Sequence, residues 1–130
     1  MNLINLNIPG LTKDKDDQYY FQGESCESIW INADKFGHRG LHIQFQVFSD
    51  PEVALRIIEK FGFDDFIPSY GCMTSTIKLR EPNGLGTIKL GENDFELKLV
   101  VYKRPMDALI NQGKLISVNC DGVKTLELID

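Results

Sequence analysis

The residues that decide the reading are Leu41-His42-Ile43-Gln44-Phe45-Gln46-Val47-Phe48, followed by Ser49-Asp50-Pro51-Glu52-Val53-Ala54-Leu55-Arg56-Ile57-Ile58-Glu59-Lys60-Phe61-Gly62-Phe63. In the first run apolar side chains recur at every second position, the repeat of a strand with one buried and one wet face. Ser49 stands where an N-cap hydroxyl belongs, Pro51 has the fixed φ of an early helical position, and Glu52 completes an S-x-x-E capping box. The spacing then predicts a helix that turns Val53, Ala54, Ile57, Ile58 and Phe61 to one side and Glu52, Arg56, Glu59 and Lys60 elsewhere, with Gly62 as its left-handed cap.

Around this unit, 130 residues make one domain, residues 1–130, which buries roughly two thirds of the surface its unfolded chain exposes. No apolar run approaches the ~18 residues of a membrane helix, and Met1-Asn2-Leu3-Ile4-Asn5 lacks the basic and apolar regions of a secretory leader. A soluble, cytoplasmic protein with no membrane association is expected. Cys26, Cys72 and Cys120 are odd in number, widely spaced and outside any C-x-x-C pattern, so they read as small buried side chains rather than a disulfide framework or a zinc knuckle.

The formal net charge is −5, and its placement matters more than its size. Residues 14–29 hold Asp14, Asp16, Asp17, Glu24 and Glu27 against Lys15 alone, a balance of −4, while the rest of the chain carries 14 acids and 13 bases. Such a segment repels nucleic-acid phosphates and attracts a cationic partner.

Taken in order, residues 2–8 alternate as a short strand ending at Pro9-Gly10, and residues 13–17 form a polar loop. Residues 18–22 have the aromatic content of a strand closed by Gly23, residues 28–32 are a third strand, and residues 33–40 an exposed turn. After the helix, residues 63–71 show no clean period and read as a packed loop. Residues 74–80 and 87–90 around Asn83-Gly84 carry the signature of a tight hairpin, and 95–101 alternate again after a turn at 91–94, completing a three-strand meander. A short helix over 105–112 stops at Gly113, and residues 114–119 and 123–129 flank Asp121-Gly122 as a last hairpin. The Thr-Ile-Lys-Leu run at 76–79 and again at 87–90 is an echo within one hairpin, not a repeat architecture. The expected class is α+β, a largely antiparallel, bent sheet of about eight strands packed against one main helix, with a β-sandwich or half-barrel plus one helix as the alternative.

Catalytic chemistry is sparse. His38 and His42 lie four apart at a loop-to-strand junction, and His42 falls with Gln44 and Gln46 on the polar side of its strand, which fits a solvated or inter-strand hydrogen-bonding histidine better than a base or a ligand. An EF-hand loop starting at Asp14 would need glycine and glutamate where Tyr19 and Ser25 stand. Gly84-Leu85-Gly86 lacks its third glycine, with Lys89 in that place, and joins strands instead of opening a helix. Ser69 and Ser75 sit in no G-x-S-x-G elbow, Cys72 has no neighbour in sequence to activate it, and Asp64 and Asp65, being adjacent, point apart. No cofactor and no metal ion is expected.

Two surfaces remain. One is the acidic, ring-bearing segment, with Asp14, Asp16, Asp17, Tyr19, Tyr20, Glu24, Glu27 and Trp30 as candidate partner-binding residues, because rings give anchor area and carboxylates pair with Arg or Lys across an interface. The other is an outward row of Thr76, Lys78, Arg80, Lys89, Lys98, Lys103 and Arg104, which fits solubility and edge protection. In length, acidity and mixed strand-and-helix reading the chain resembles, by general type, the immunity proteins with which bacteria block nuclease toxins, whose active sites are basic because their substrates are phosphodiesters. The expectation is therefore a small non-enzymatic inhibitor of a basic protein such as a toxin domain. The alternatives are an enzyme or binding domain for an anionic ligand using His38, Arg39 and His42, and a phage or structural assembly subunit.

Overall fold

The fold, obtained as a computed structural model, describes residues 10–26, 28–34, 40–68, 73–81 and 83–114, with 65, 66 and 68 as backbone only. The strand expected at 2–8, Glu27, His38, Arg39, Cys72, Cys120 and the last hairpin lie outside the described residues.

Among the described residues, two sheets and two helices make the α+β fold. A small antiparallel sheet joins β1 (Leu11–Lys13), β2 (Tyr19–Phe21) and β3 (Glu24–Ser25). The large sheet has β4 (Ser28–Asn32), β5 (His42–Val47), β9 (Asn93–Tyr102), β7 (Thr74–Leu79) and β6 (Phe63–Pro68) side by side in that order, with β8 (Thr87–Leu90) also paired to β9. All described pairings are antiparallel except β5 with β9. The helices, α1 (Pro51–Phe61) and α2 (Lys103–Asn111), pack on that sheet and on each other. No helix among the described residues is long and apolar enough to cross a membrane.

The deciding stretch folds as its period implies, with two corrections besides the cap glycine, since Gly62 ends α1 at φ 64° and ψ 168° and not in the left-handed helical conformation expected of it. The cap of α1 is Asp50, not Ser49: its carboxylate accepts from the Glu52 backbone N–H at 3.0 Å. Pro51 at the helix start places the cap immediately before it, and Glu52 is then one residue too early to close a capping box. The second correction concerns β5. Ile43, Phe45 and Val47 face the core as expected, but His42 and Gln44 on the other face are also buried. A strand between two neighbours is screened along both edges, and in a parallel pair both faces tend to be covered.

Register aligns Ile31 and Ile43 with Leu97, and Phe45 with Leu99 and Ile77, so one face of the sheet is a continuous apolar floor. Ala54, Leu55, Ile57, Ile58 and Phe61 of α1 and Met106 and Leu109 of α2 close over it. Phe21 ties the small sheet to this core, with its ring centroid 5.7 Å from Phe45 and 6.2 Å from Phe61.

Two more expectations change. Residues 63–68 are a strand, not a loop: β6 pairs β7 with a register shift between Phe63 and Asp65, and that bulge breaks the two-residue period. Nor do β7 and β8 form a hairpin. Both pair the same side of β9, β7 along Lys98–Tyr102 and β8 along Asn93–Glu96, so the chain leaves this column after Leu79 and rejoins it at Thr87. Asn83 shapes the excursion through its side chain, accepting from the Leu85 and Thr87 N–H groups and donating to Thr87 Oγ1. The true hairpin joins β8 to β9 through Gly91-Glu92.

Candidate functional site

The β1–β2 loop is organised by one side chain. Asp14 Oδ1 accepts from the backbone N–H groups of Asp16 at 2.8 Å and Gln18 at 3.0 Å, and its Oδ2 accepts from the Tyr20 hydroxyl at 3.1 Å. The backbone closes the same loop, Asp14 N–H to Gln18 O and Asp17 N–H to Asp14 O, while Asp17 takes a positive φ of 62°. Donation from the Gln18 amide, above all, holds the Asp14 carboxyl below its ordinary range, and the same carboxylate holds the Tyr20 phenol above its own.

Asp16 and Asp17 stand at the exposed tip. Asp17 pairs with Lys13 at 3.1 Å, and this contact raises the Lys13 ammonium, which also lies 5.9 Å from the centre of the Tyr19 ring. Beside the tip is a pocket of about 240 Å³ lined by Asp17, Gln18, Tyr19, Cys26, Ser28 and Ile29. Gln18 crosses its wall, its amide nitrogen donating to Tyr19 O and Cys26 O. Cys26 itself is buried, with its thiol 2.7 Å from Ser28 O.

The structure thus brings Asp14, Asp16, Asp17, Tyr19 and Tyr20 together, but not the whole expected set. Glu24 turns to α1, accepting from Arg56 at 2.9 Å and lying 3.5 Å from Lys60, which also donates to Gln22 O. Trp30 points away: neighbouring side chains on a strand take opposite faces, so Ile29 lines the pocket while Trp30 lies on the reverse face, edge-on to His42 at 5.0 Å. Local charge is correspondingly smaller than the −4 of the linear segment, because Glu24 and Asp17 both have basic partners.

The chain matches no family model, no curated protein and no solved structure.

The reverse face gathers Trp30, His42, Gln44, Lys78, Glu96 and Lys98. Lys98 and Lys78 flank Glu96 at 3.3 and 3.8 Å, so the expected basic row is cross-linked by an acid in its middle. Arg80 pairs with Asp64 at 2.7 Å. His42 is buried against Trp30 rather than solvated. Among the described residues no three His, Cys, Asp or Glu side chains converge as metal ligands.

A feature the sequence reading did not pick out lies at the far end of β5 and β9, where Phe48, Met73 and Tyr102 leave large apolar surfaces exposed around an open groove. Exposed rings in sequence look like buried ones. The available signal was that Phe48 falls on the polar register of its strand, with His42, Gln44 and Gln46.

Proposed function

We propose that this protein is a binding module that captures, and thereby inhibits, a protein with a basic surface, docking it on the β1–β2 loop. The observation that carries the reading is the locked loop with Asp16 and Asp17 at its tip and a pocket beside them large enough for one side chain. A partner lysine or arginine can lay its aliphatic stem along Tyr19 and Ile29 and bring its cation to Asp17, displacing Lys13. A loop already fixed by Asp14 loses little freedom on binding, which favours affinity. The working set is therefore Asp16, Asp17, Tyr19 and Tyr20, with Asp14 positioning them. A nuclease-type toxin is the basic partner this chemistry suits best, since its own site must attract phosphodiesters.

The test uses the full chain as bait, with captured proteins identified by mass spectrometry and affinities measured by titration at low and high salt. Enrichment of a basic protein, with affinity reduced at least about tenfold by Asp16→Lys with Asp17→Lys and reduced by salt, is expected. Capture unaffected by charge reversal and by salt would overturn the reading.

A further inference from the structure

We propose that the groove at the end of β5, β7 and β9 is a second docking site, one that takes an acidic peptide segment of a partner protein with a single large apolar side chain among its carboxylates. The groove has a volume of about 640 Å³, set among Phe48, Met73, Tyr102, Lys103, Arg104 and Asp107.

Fold geometry builds this site. Phe48 follows β5, Met73 precedes β7, and Tyr102 ends β9, where Thr74 pairs with Tyr102 and the Lys103 N–H donates to Met73 O at 2.8 Å. The Phe48 and Tyr102 rings meet edge to face at 4.8 Å, giving a firm apolar floor. Phe48 and Tyr102 are each 39% exposed and Met73 is 62% exposed, half of the six large apolar side chains that stay exposed among the described residues. Such concentration on one spot marks an interaction surface, and Phe, Tyr, Met and Arg are the residues enriched at the centres of interfaces.

Charge selects the occupant. Lys103 is paired with Asp107, but Arg104 makes no ion pair among the described residues and stands exposed at the rim. The first turn of α2 contains no acid, so beyond the Lys103 N–H that Met73 O accepts, the positive end of its dipole adds to Arg104 at the same rim. In a chain of net charge −5 this is a local basic spot beside apolar surface. One guanidinium without an ion pair among the described residues is too few for a nucleic-acid backbone, which needs a row of cations. An apolar anchor flanked by carboxylates matches both the floor and the rim.

A fluorescein-labelled synthetic peptide with aspartates on both sides of one phenylalanine is the probe, titrated with the full chain by fluorescence anisotropy. Saturable binding is expected, weakened about tenfold by Arg104→Glu and by Met73→Ser, weakened by salt, and unchanged by Asp16→Lys with Asp17→Lys. Both groove substitutions alter exposed side chains, and matching thermal melts establish that each variant is folded. Three results would overturn the proposal: no saturable binding, equal binding of a peptide with lysines in place of the aspartates, or equal binding with alanine in place of the phenylalanine. Self-association of the chain abolished by Arg104→Glu would also overturn it, assigning the groove to a second copy.

Discussion

Asp14 aims its carboxylate inward, at two amides and a phenol of its own loop, so its role is to hold shape. Asp14→Ala should speed amide hydrogen exchange at Asp16 and Gln18 several-fold and let the Tyr20 phenol titrate closer to its ordinary 10.0; unchanged exchange would contradict this account. The sign with pH follows from the lowered carboxyl. Its contribution is complete above the ordinary 3.8 and is lost as pH falls through the still lower folded value, so Gln18 amide protection should fade only in that acid range. Gly86 is the opposite kind of residue, needed for what it lacks. It has φ +68°, and a Cβ there would lie 1.7 Å from Leu79 O, so Gly86→Ala should cost at least about 2 kcal/mol in denaturant unfolding. Of these residues the sequence exposes the glycine and the acidic loop, but not that Asp14 differs from Asp16 and Asp17, since that depends on which amides each carboxylate meets.

Among the elements, the small sheet is held to the rest by Phe21 from within and by Glu24 from outside. These two ties differ in strength. Phe21 is fully buried between Phe45 and Phe61, and Phe21→Ala should cost about 3–5 kcal/mol by chemical denaturation. Glu24 pairs with cations on a wet helix face, and Glu24→Gln should cost less than about 1 kcal/mol. A reversed order would mean that charge rather than ring packing docks the sheet. Strand β4 and helix α1 were legible because each keeps one period to its end. Strand β6 was not, because its bulge interrupts the period, and the β7–β8 hairpin was misread because Asn-Gly suits an Asx-stabilised excursion as well as a tight turn.

For the whole molecule, the parallel pairing of β5 with β9 matches His42 to Glu96 across α1, β6, β7 and β8. Such a long-range closure has an entropic cost that must be met before its contacts form, so refolding should take on the order of milliseconds to seconds in stopped-flow fluorescence, read through Trp30 beside His42. A microsecond phase carrying the full amplitude would show that this pairing does not limit folding. Periodicity and turn chemistry settle what a segment does with its neighbours in the chain: the alternation through Val47, the helix over Pro51–Phe61 and the apolar faces of both. Strand order, the diversion of Glu24 to α1, the turning of Trp30 from the acidic loop and the meeting of Phe48, Met73 and Tyr102 are set by contacts between distant segments. Those contacts are selected by the packing of the folded chain as a whole, and no local pattern encodes them.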